Sequence, residues 1–249
     1  MRILALETTC ALASAAVIDE KGNVYCKQGE EKLSHLQLLV PLIRAVLTEA
    51  GCAAEPAFGL DAIAVSHGPG SFTGIRIGVS TARALAQALS LPVVSVPTLE
   101  ATAWNMREEG LLLCPLFDAR REQVYGAAYY WENDVCHEAI AVDAYEIERF
   151  LDLAATAAQA KQQEILLMGE GAFAYEERLQ DWCRAAAVSS LRYATEGLRQ
   201  PHAAQVAALA LKKFESGDLL PYEQLVPVYV RKAEAERKLE ERLAMEVRK

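Results

Sequence analysis

Apolar residues fall into two rhythms along this chain, and the changes of rhythm predict its elements. Short apolar runs over residues 2–6, 13–18 and 24–28, the last two separated by the turn Asp19-Glu20-Lys21-Gly22-Asn23, read as an antiparallel meander of strands. A three-four spacing over 34–50 then predicts a helix. The unbroken run at 62–66 predicts a buried strand, the Ala- and Leu-rich, proline-free stretch 75–89 a second helix, and 93–96 another strand. The order βββαβαβ belongs to an α/β lobe. The pattern then restarts, with an apolar strand at 111–117, a polar turn at 118–121 and a strand at 124–130, and residues 97–110 are expected to form the helix that crosses between lobes. A strand at 165–168, an amphipathic helix at 203–214 and a short extended piece at 228–230 follow.

An acid closes the first strand of both halves, Glu7 and then Asp118. The recurrence fits a duplicated lobe, although any strand can end in an acid. The expected organisation is therefore a first lobe over 1–100, a second, degenerate lobe over 101–231, and a charge-dense helical tail over 232–249. In that tail Leu239, Leu243 and Val247 stand four residues apart, as in a solvated or partner-docked helix.

Between the strand at 62–66 and the following helix stands GPGSFTGIRIG, residues 68–78. Gly68, Gly70 and Gly74 permit positive φ, Pro69 stiffens the turn, and Ser71 and Thr73 can cap the helix. Free N–H groups at a helix start attract anions, so the loop could cradle a phosphate or a carboxylate; a tight, well-capped turn is the other reading. No Lys follows Gly74, so this is not a P-loop.

The helix over 33–50 carries two apolar stripes, Leu33, Leu36, Val40, Ile43, Leu47 and Ala50 on one, Leu38, Leu39, Leu42 and Val46 on the other. A helix lying on a sheet needs one stripe, so the second calls for a partner or for a core that wraps the helix. Pro41 is expected to kink this helix or to start its second segment. In the next helix Ile75, Val79, Ala82 and Ala86 supply apolar or small side chains that let the two helices pair and dock. Arg76 and Arg83, seven residues apart, share a face beside the glycine loop, where they serve a partner or pair with surface acids.

A chain of 249 residues, 52% hydrophobic, can bury the core of two lobes or of one large domain. No apolar run reaches membrane-spanning length, and the apolar start meets Glu7 too soon for a signal peptide, so a cytoplasmic location without membrane contact is expected. Cysteines at 10, 26, 52, 114, 136 and 183 lack any CxxC or metal spacing and are expected to be reduced. A net charge of -9 opposes unaided binding to nucleic acid, so any RNA would be held mostly by another subunit. His35, His67, His137 and His202 stand singly, as satisfied polar residues, and neither GxSxG nor HExxH occurs.

LALETT at 4–9, SHLQLLVPLI at 34–43, GPGSFTGIRIG, DARREQVY at 118–125 and PVYVR at 227–231, in this order, resemble the bacterial TsaB (YeaZ) family. The resemblance covers residues 1–231 and leaves the tail outside it. It implies the actin, Hsp70 and sugar-kinase (ASKHA, RNase H-like) superfamily, with two βββαβαβα lobes of five-stranded mixed sheet flanked by helices and facing a cleft. It also implies work on N6-threonylcarbamoyladenosine in tRNAs that read ANN codons, as a non-catalytic partner of TsaD, the transferase, with the ATPase TsaE as third member. The expected contact is a heterodimer with TsaD through Leu33, Leu36, Leu38, Leu39, Leu42, Ile43, Val46, Ile75, Val79, Ala82 and Ala86, replaced by a homodimer when the partner is absent. The tRNA is expected to be reached through the complex.

The resemblance argues against a catalytic centre in this chain. TsaD holds a metal through two histidines at i and i+4, and the matching helix here offers His35 with Leu39, so neither a metal site nor a catalytic residue is expected. Glu7-Thr8-Thr9 keeps a carboxylate and hydroxyls at the first phosphate turn of the superfamily, while Asp118-Ala119-Arg120-Arg121 replaces glycine by bulk at the second. Gly169-Glu170-Gly171 resembles the superfamily's adenosine loop and equally a plain strand-ending turn. ATP or ADP is thus expected only weakly or at a subunit junction. Residues placed near nucleotide or tRNA on this reading are Glu7, Thr8, Gly68, Gly70, Ser71, Thr73, Gly74, Arg76 and Arg83, with Gly169 and Gly171 as the candidate adenosine loop. The rival readings are a metabolite kinase or a metallopeptidase-like enzyme acting alone.

Overall fold

The computed structural model describes residues 1–186 and 191–231; the tail expected as a helix lies outside them. The first half contains β1 (Arg2–Glu7), β2 (Ser14–Asp19), β3 (Val24–Gln28), α1 (His35–Glu49), β4 (Ala62–Ser66), α2 (Phe72–Leu89), β5 (Val93–Val96) and α3 (Thr98–Ala103). The second contains β6 (Leu111–Asp118), β7 (Gln123–Glu132), β8 (Val135–Glu146), α4 (Ile147–Lys161), β9 (Glu164–Met168), α5 (Gly171–Ala174), α6 (Glu176–Ala185), β10 (Arg192–Tyr193) and α7 (Ala203–Glu215). Apart from the one-turn helix α5, each half runs βββαβαβα.

The two five-stranded sheets share one topology, β3-β2-β1-β4-β5 and, read from the other edge, β8-β7-β6-β9-β10. In the first, β1 pairs antiparallel with β2, Glu7 opposite Ser14, and parallel with β4, Ile3 beside Ala62. In the second, β6 pairs antiparallel with β7 and parallel with β9. Glu7 and Asp118 thus end the central strands of equivalent sheets.

Alternation along the strands divides the interior into three layers. Leu4 and Leu6 point outward from the first sheet into a core with Leu39, Ile43, Val46 and Val79 of α1 and α2. Leu112 and Leu116 do the same in the second sheet, against Phe150 and Leu151 of α4 and Leu179 of α6. Ile3, Ala5, Leu113 and Phe117 face the centre, where α3 and α7 fill the space between the sheets. Here each half lends its last helix to the other: α7 packs on β1 and β2, and α3 on β6 and β7.

The structure departs from the expected elements at several points. The crossing helix expected over 97–110 is only α3, which ends where Trp104 turns into the core against Trp131, ring centres 5.3 Å apart. The helix α2 starts at Phe72 rather than 75, because the Ser71 hydroxyl accepts from Gly74 N and caps it; Thr73 lies inside the helix. Pro41 neither breaks α1 nor divides it, and sits on its exposed side. Residues 135–161 and 176–185, for which the pattern predicts no element, form β8, α4 and α6.

Candidate functional site

The glycine loop works by close backbone approach, and what approaches is the chain itself. A Cβ on Gly74 would lie 1.9 Å from the Thr8 carbonyl oxygen, one on Gly78 2.3 Å from Thr8 Oγ1, and one on Gly70 2.6 Å from the Thr9 carbonyl oxygen. These glycines seat α2 directly on the β1–β2 turn. Hydrogen bonds complete the seat: Thr8 Oγ1 donates to Gly74 O at 2.7 Å, and Ser71 N donates to Thr9 O at 2.7 Å. Gly68 N donates to Thr98 Oγ1 at 3.1 Å, and Gly74 N to Ser71 Oγ at 3.2 Å. With the amides of Gly68, Ser71 and Gly74 so occupied, the loop has the geometry of a capped turn, and the anion cradle has lost three of its donors.

The Glu7 side chain is fully buried at this seat, and Thr8 with it. Its Oε1 accepts from Thr9 N at 2.5 Å and from Thr9 Oγ1 at 2.6 Å, while Oε2 has no partner at hydrogen-bonding geometry among the described residues. Burial raises its pKa above the ordinary carboxylate value, against the opposing pull of the Ser66 and Thr9 hydroxyls and of nearby amides.

Three of the four histidine side chains make a local contact. His35 is buried, and its Nε2–H donates to Cys10 O at 2.7 Å; Nδ1 has no partner among the described residues, so the satisfaction expected of it is only half met there. One turn on, Leu39 is buried in the core below α1. Burial lowers the His67 pKa to about 4. His137 stacks on Tyr130, and His202 Nδ1 accepts from Ala204 N at the start of α7. Among the described residues no three His, Cys, Asp or Glu side chains converge as a metal-binding set.

In the second lobe Asp118 is exposed, and its Oδ1 accepts from Arg120 N at 2.7 Å and from Tyr175 Oη at 2.9 Å. Arg120, Arg121 and Glu122 then have φ of 60°, 55° and 62°, a left-handed turn made without glycine. The glycines of this lobe lie after β9. At φ +84°, Gly169 has room for no Cβ, which would fall 2.1 Å from Leu116 O; one on Gly171 would fall 2.9 Å from the same atom. Gly169 and Gly171 therefore seat the β9–α5 turn on β6 as Gly70 and Gly74 seat α2 on the β1–β2 turn. That equivalence is hidden in the sequence, because only the topology puts the two glycine pairs in matching places.

The helix pair corrects the expected interface. Leu39 and Val46 on α1, with Ile75, Val79, Ala82 and Ala86 on α2, are buried in the chain's own core and are not available to a partner; Ile43 is buried too, but lines the cavity between the two helices. The sheet-facing stripe of α1 runs from His35 through Leu39, Ile43, Val46 and Leu47, which turns Leu36 and Val40 outward. Leu33, Leu36 and Val40 are 78%, 79% and 55% exposed, and Leu38 and Leu42 are half-buried beside them. Between α1 and α2 opens an apolar cavity of about 420 Å³, floored by Leu4 and walled by Val40, Leu47, Leu85 and Leu89. Phe58, in the turn of Ala57, Phe58 and Gly59, all at positive φ, and Arg44 also line it. Sequence reasoning does not find Phe58, Leu85, Leu89 and Arg44; the spacing of Leu85 and Leu89, four apart, is the readable sign.

Arg76 and Arg83 are both exposed. Among the described residues no acid pairs with Arg76: its guanidinium lies 3.9 Å from the Phe72 ring centre, and its Nε donates to Tyr229 Oη at 2.9 Å. No helix of the described residues is long and apolar enough to cross a membrane.

Comparison with known proteins agrees with this architecture. A family model described as TsaD, tRNA N6-adenosine threonylcarbamoyltransferase, matches residues 30–239. The tRNA threonylcarbamoyladenosine biosynthesis protein TsaB of Escherichia coli K12 is 30% identical over 247 residues, covering 96% of this chain and 98% of its own. TsaB of Bacillus subtilis 168 is 29% identical over 238 residues, covering 96% and 97%. The solved structure of YeaZ from Pseudomonas aeruginosa superposes with a TM-score of 0.75 at 28% identity, covering 92% of this chain and 99% of that one.

Proposed function

This chain belongs to the family that the TsaD model describes, alongside the TsaB proteins of tRNA threonylcarbamoyladenosine biosynthesis, and we propose that its part in that biosynthesis is to bind and activate TsaD without catalysing transfer itself. The observation that carries the proposal is the outward face of α1. Leu36 and Val40, with Leu33 in the turn before the helix, stand in water beside an apolar cavity, and at about 25 cal/mol per Å² such a face gains stability when a partner covers it.

The partner that fits is a TsaD bearing an equivalent helix pair, which would make a four-helix contact with α1 and α2. TsaE joins as the third member, and the tRNA is held by the complex, since a net charge of -9 gives this chain little attraction for phosphates. The buried Glu7 and the occupied loop amides support placing ATP or ADP, where it binds, at the subunit junction rather than in this chain's own cleft. They likewise count against a metabolite kinase, and the inward-facing His35 and Leu39 against a metallopeptidase-like site.

The same face supports a homodimer when TsaD is absent, because one apolar surface cannot serve both contacts at once. The test is the rate of threonylcarbamoyl transfer to tRNA by TsaD from the same cell, with and without this chain. Strong stimulation at stoichiometric amounts, with no transfer by this chain alone, is the expected result; transfer unaffected by the chain, or carried out by it alone, would overturn the proposal.

A further inference from the structure

Residues 226–231 run from one lobe to the other over the surface. Leu225 is fully buried in the core under α1 and α2, whereas Val226, Val228 and Tyr229 are exposed. The segment grips the first lobe at the glycine loop. Val228 N donates to His67 O at 2.9 Å, and Gly68 makes room for the Val228 carbonyl, which would lie 2.4 Å from any Cβ there. The Tyr229 ring stacks on Phe72 with centres 4.5 Å apart, and its hydroxyl accepts from Arg76.

Two residues on, the segment grips the second lobe. Arg231 Nη1 donates to Ala119 O at 2.7 Å, and Nη2 donates to Gln123 Oε1. These acceptors flank Arg120, Arg121 and Glu122, whose left-handed conformations are sparsely populated by residues other than glycine and persist where the surroundings hold them.

We propose that residues 226–231 are a latch that fastens the glycine loop of the first lobe to the β6–β7 turn of the second. Each grip alone is a surface contact of modest strength. Joined through a single intervening residue, Val230, each keeps the other at high effective concentration, so loosening one loosens both. The coupling is reciprocal. The first-lobe grip lies on the opening turns of α2, so a ligand that takes Phe72 and Arg76 away from Tyr229 would also free the turn at 119–123.

Hydrogen–deuterium exchange on the full chain tests this, because the side chains of Tyr229 and Arg231 touch different lobes. Tyr229→Ala is expected to speed exchange on the order of tenfold in residues 67–76 and also in 119–124, where Ala119 N and Gln123 N are hydrogen-bonded. Arg231→Gln is expected to do the converse, speeding exchange at 67–76, which its side chain does not touch. If each variant loosens only the lobe it touches, the latch is refuted. Should Tyr229→Ala disturb the whole fold, seen as faster exchange in β1 and β6, Arg231→Gln and Tyr229→Phe carry the same test. Tyr229→Phe keeps the ring stack and removes only the hydroxyl that Arg76 meets.

Discussion

Gly74 and Thr8 lie so close that a methyl group on the glycine would sit 1.9 Å from the threonine carbonyl oxygen, so α2 can rest on the β1–β2 turn only while residue 74 has no side chain. The obstacle is backbone, not the end of a flexible side chain, and relief requires the helix or the turn to shift. Gly74→Ala is expected to destabilise the chain by about 1–3 kcal/mol or more, the usual cost of overpacking. A methyl group on Gly197 would meet no heavy atom of the described residues within 4 Å beyond its own chain neighbours, and that residue has no positive φ, so Gly197→Ala should change stability by less than about 0.5 kcal/mol. Urea unfolding of both variants checks the contrast.

The two faces of α1 separate folding from partner binding. Leu39→Ala removes a buried side chain and should cost about 2–5 kcal/mol of stability. Leu36→Asp changes a side chain that is 79% exposed and should leave unfolding within about 0.5 kcal/mol of the parent, while lowering stimulation of TsaD at least about tenfold. Stimulation by Leu36→Asp equal to that of the parent would take the outward face out of the contact.

Glu7 makes a prediction about pH. Its folded pKa is raised by burial above the ordinary value of 4.5, so the native state holds the proton more tightly than the unfolded chain. Its contribution to stability is therefore fully present below 4.5 and is lost as pH rises through the folded value. Glu7→Gln keeps an oxygen for Thr9 to donate to and removes the titration. Relative to the parent, this variant should gain stability between pH 4.5 and neutrality, read from urea midpoints across that window. An unchanged difference would show that Glu7 is not buried as a carboxyl in solution.

Much of the fold is legible in the sequence because the elements that carry it have strong patterns. The expected strand bounds at 24–28, 62–66 and 93–96 coincide with β3, β4 and β5, whose ends are set by turns or polar residues. The strand β8 is not legible: half of its residues are exposed and Ile140 alone is buried, with polar residues such as His137, Glu138 and Asp143 among apolar ones, so no clean alternation marks it. For α4 the sign is there, since Ile147, Phe150, Leu151, Ala154 and Ala158 fall on one face. At the site, the Ser71 cap is readable from residue type. Which stripe of α1 meets the sheet is not: both stripes are apolar, and the sheet's demand for Leu39 and Ile43 settles the helix rotation only after folding. Likewise, nothing local announces that Arg76 meets Tyr229, 153 residues away.

That last contact makes Arg76 a discriminating position. If its guanidinium serves the partner or the tRNA directly, Arg76→Ala should lower TsaD-stimulated transfer while Tyr229→Phe, which leaves the guanidinium in place above Phe72, should not. If Arg76 acts only by holding Tyr229, both variants remove the same hydrogen bond and should lower transfer alike. Arg76→Lys keeps a charge but loses the planar group that lies over the ring while donating through Nε, so it should follow Arg76→Ala in the second case and retain more activity in the first. Because Arg76 is exposed, none of the three substitutions should shift the unfolding midpoint enough to mask the effect on transfer. Transfer rates for the three variants decide between a contact residue and a holder of the segment 226–231, and full activity in all of them would remove Arg76 from both roles.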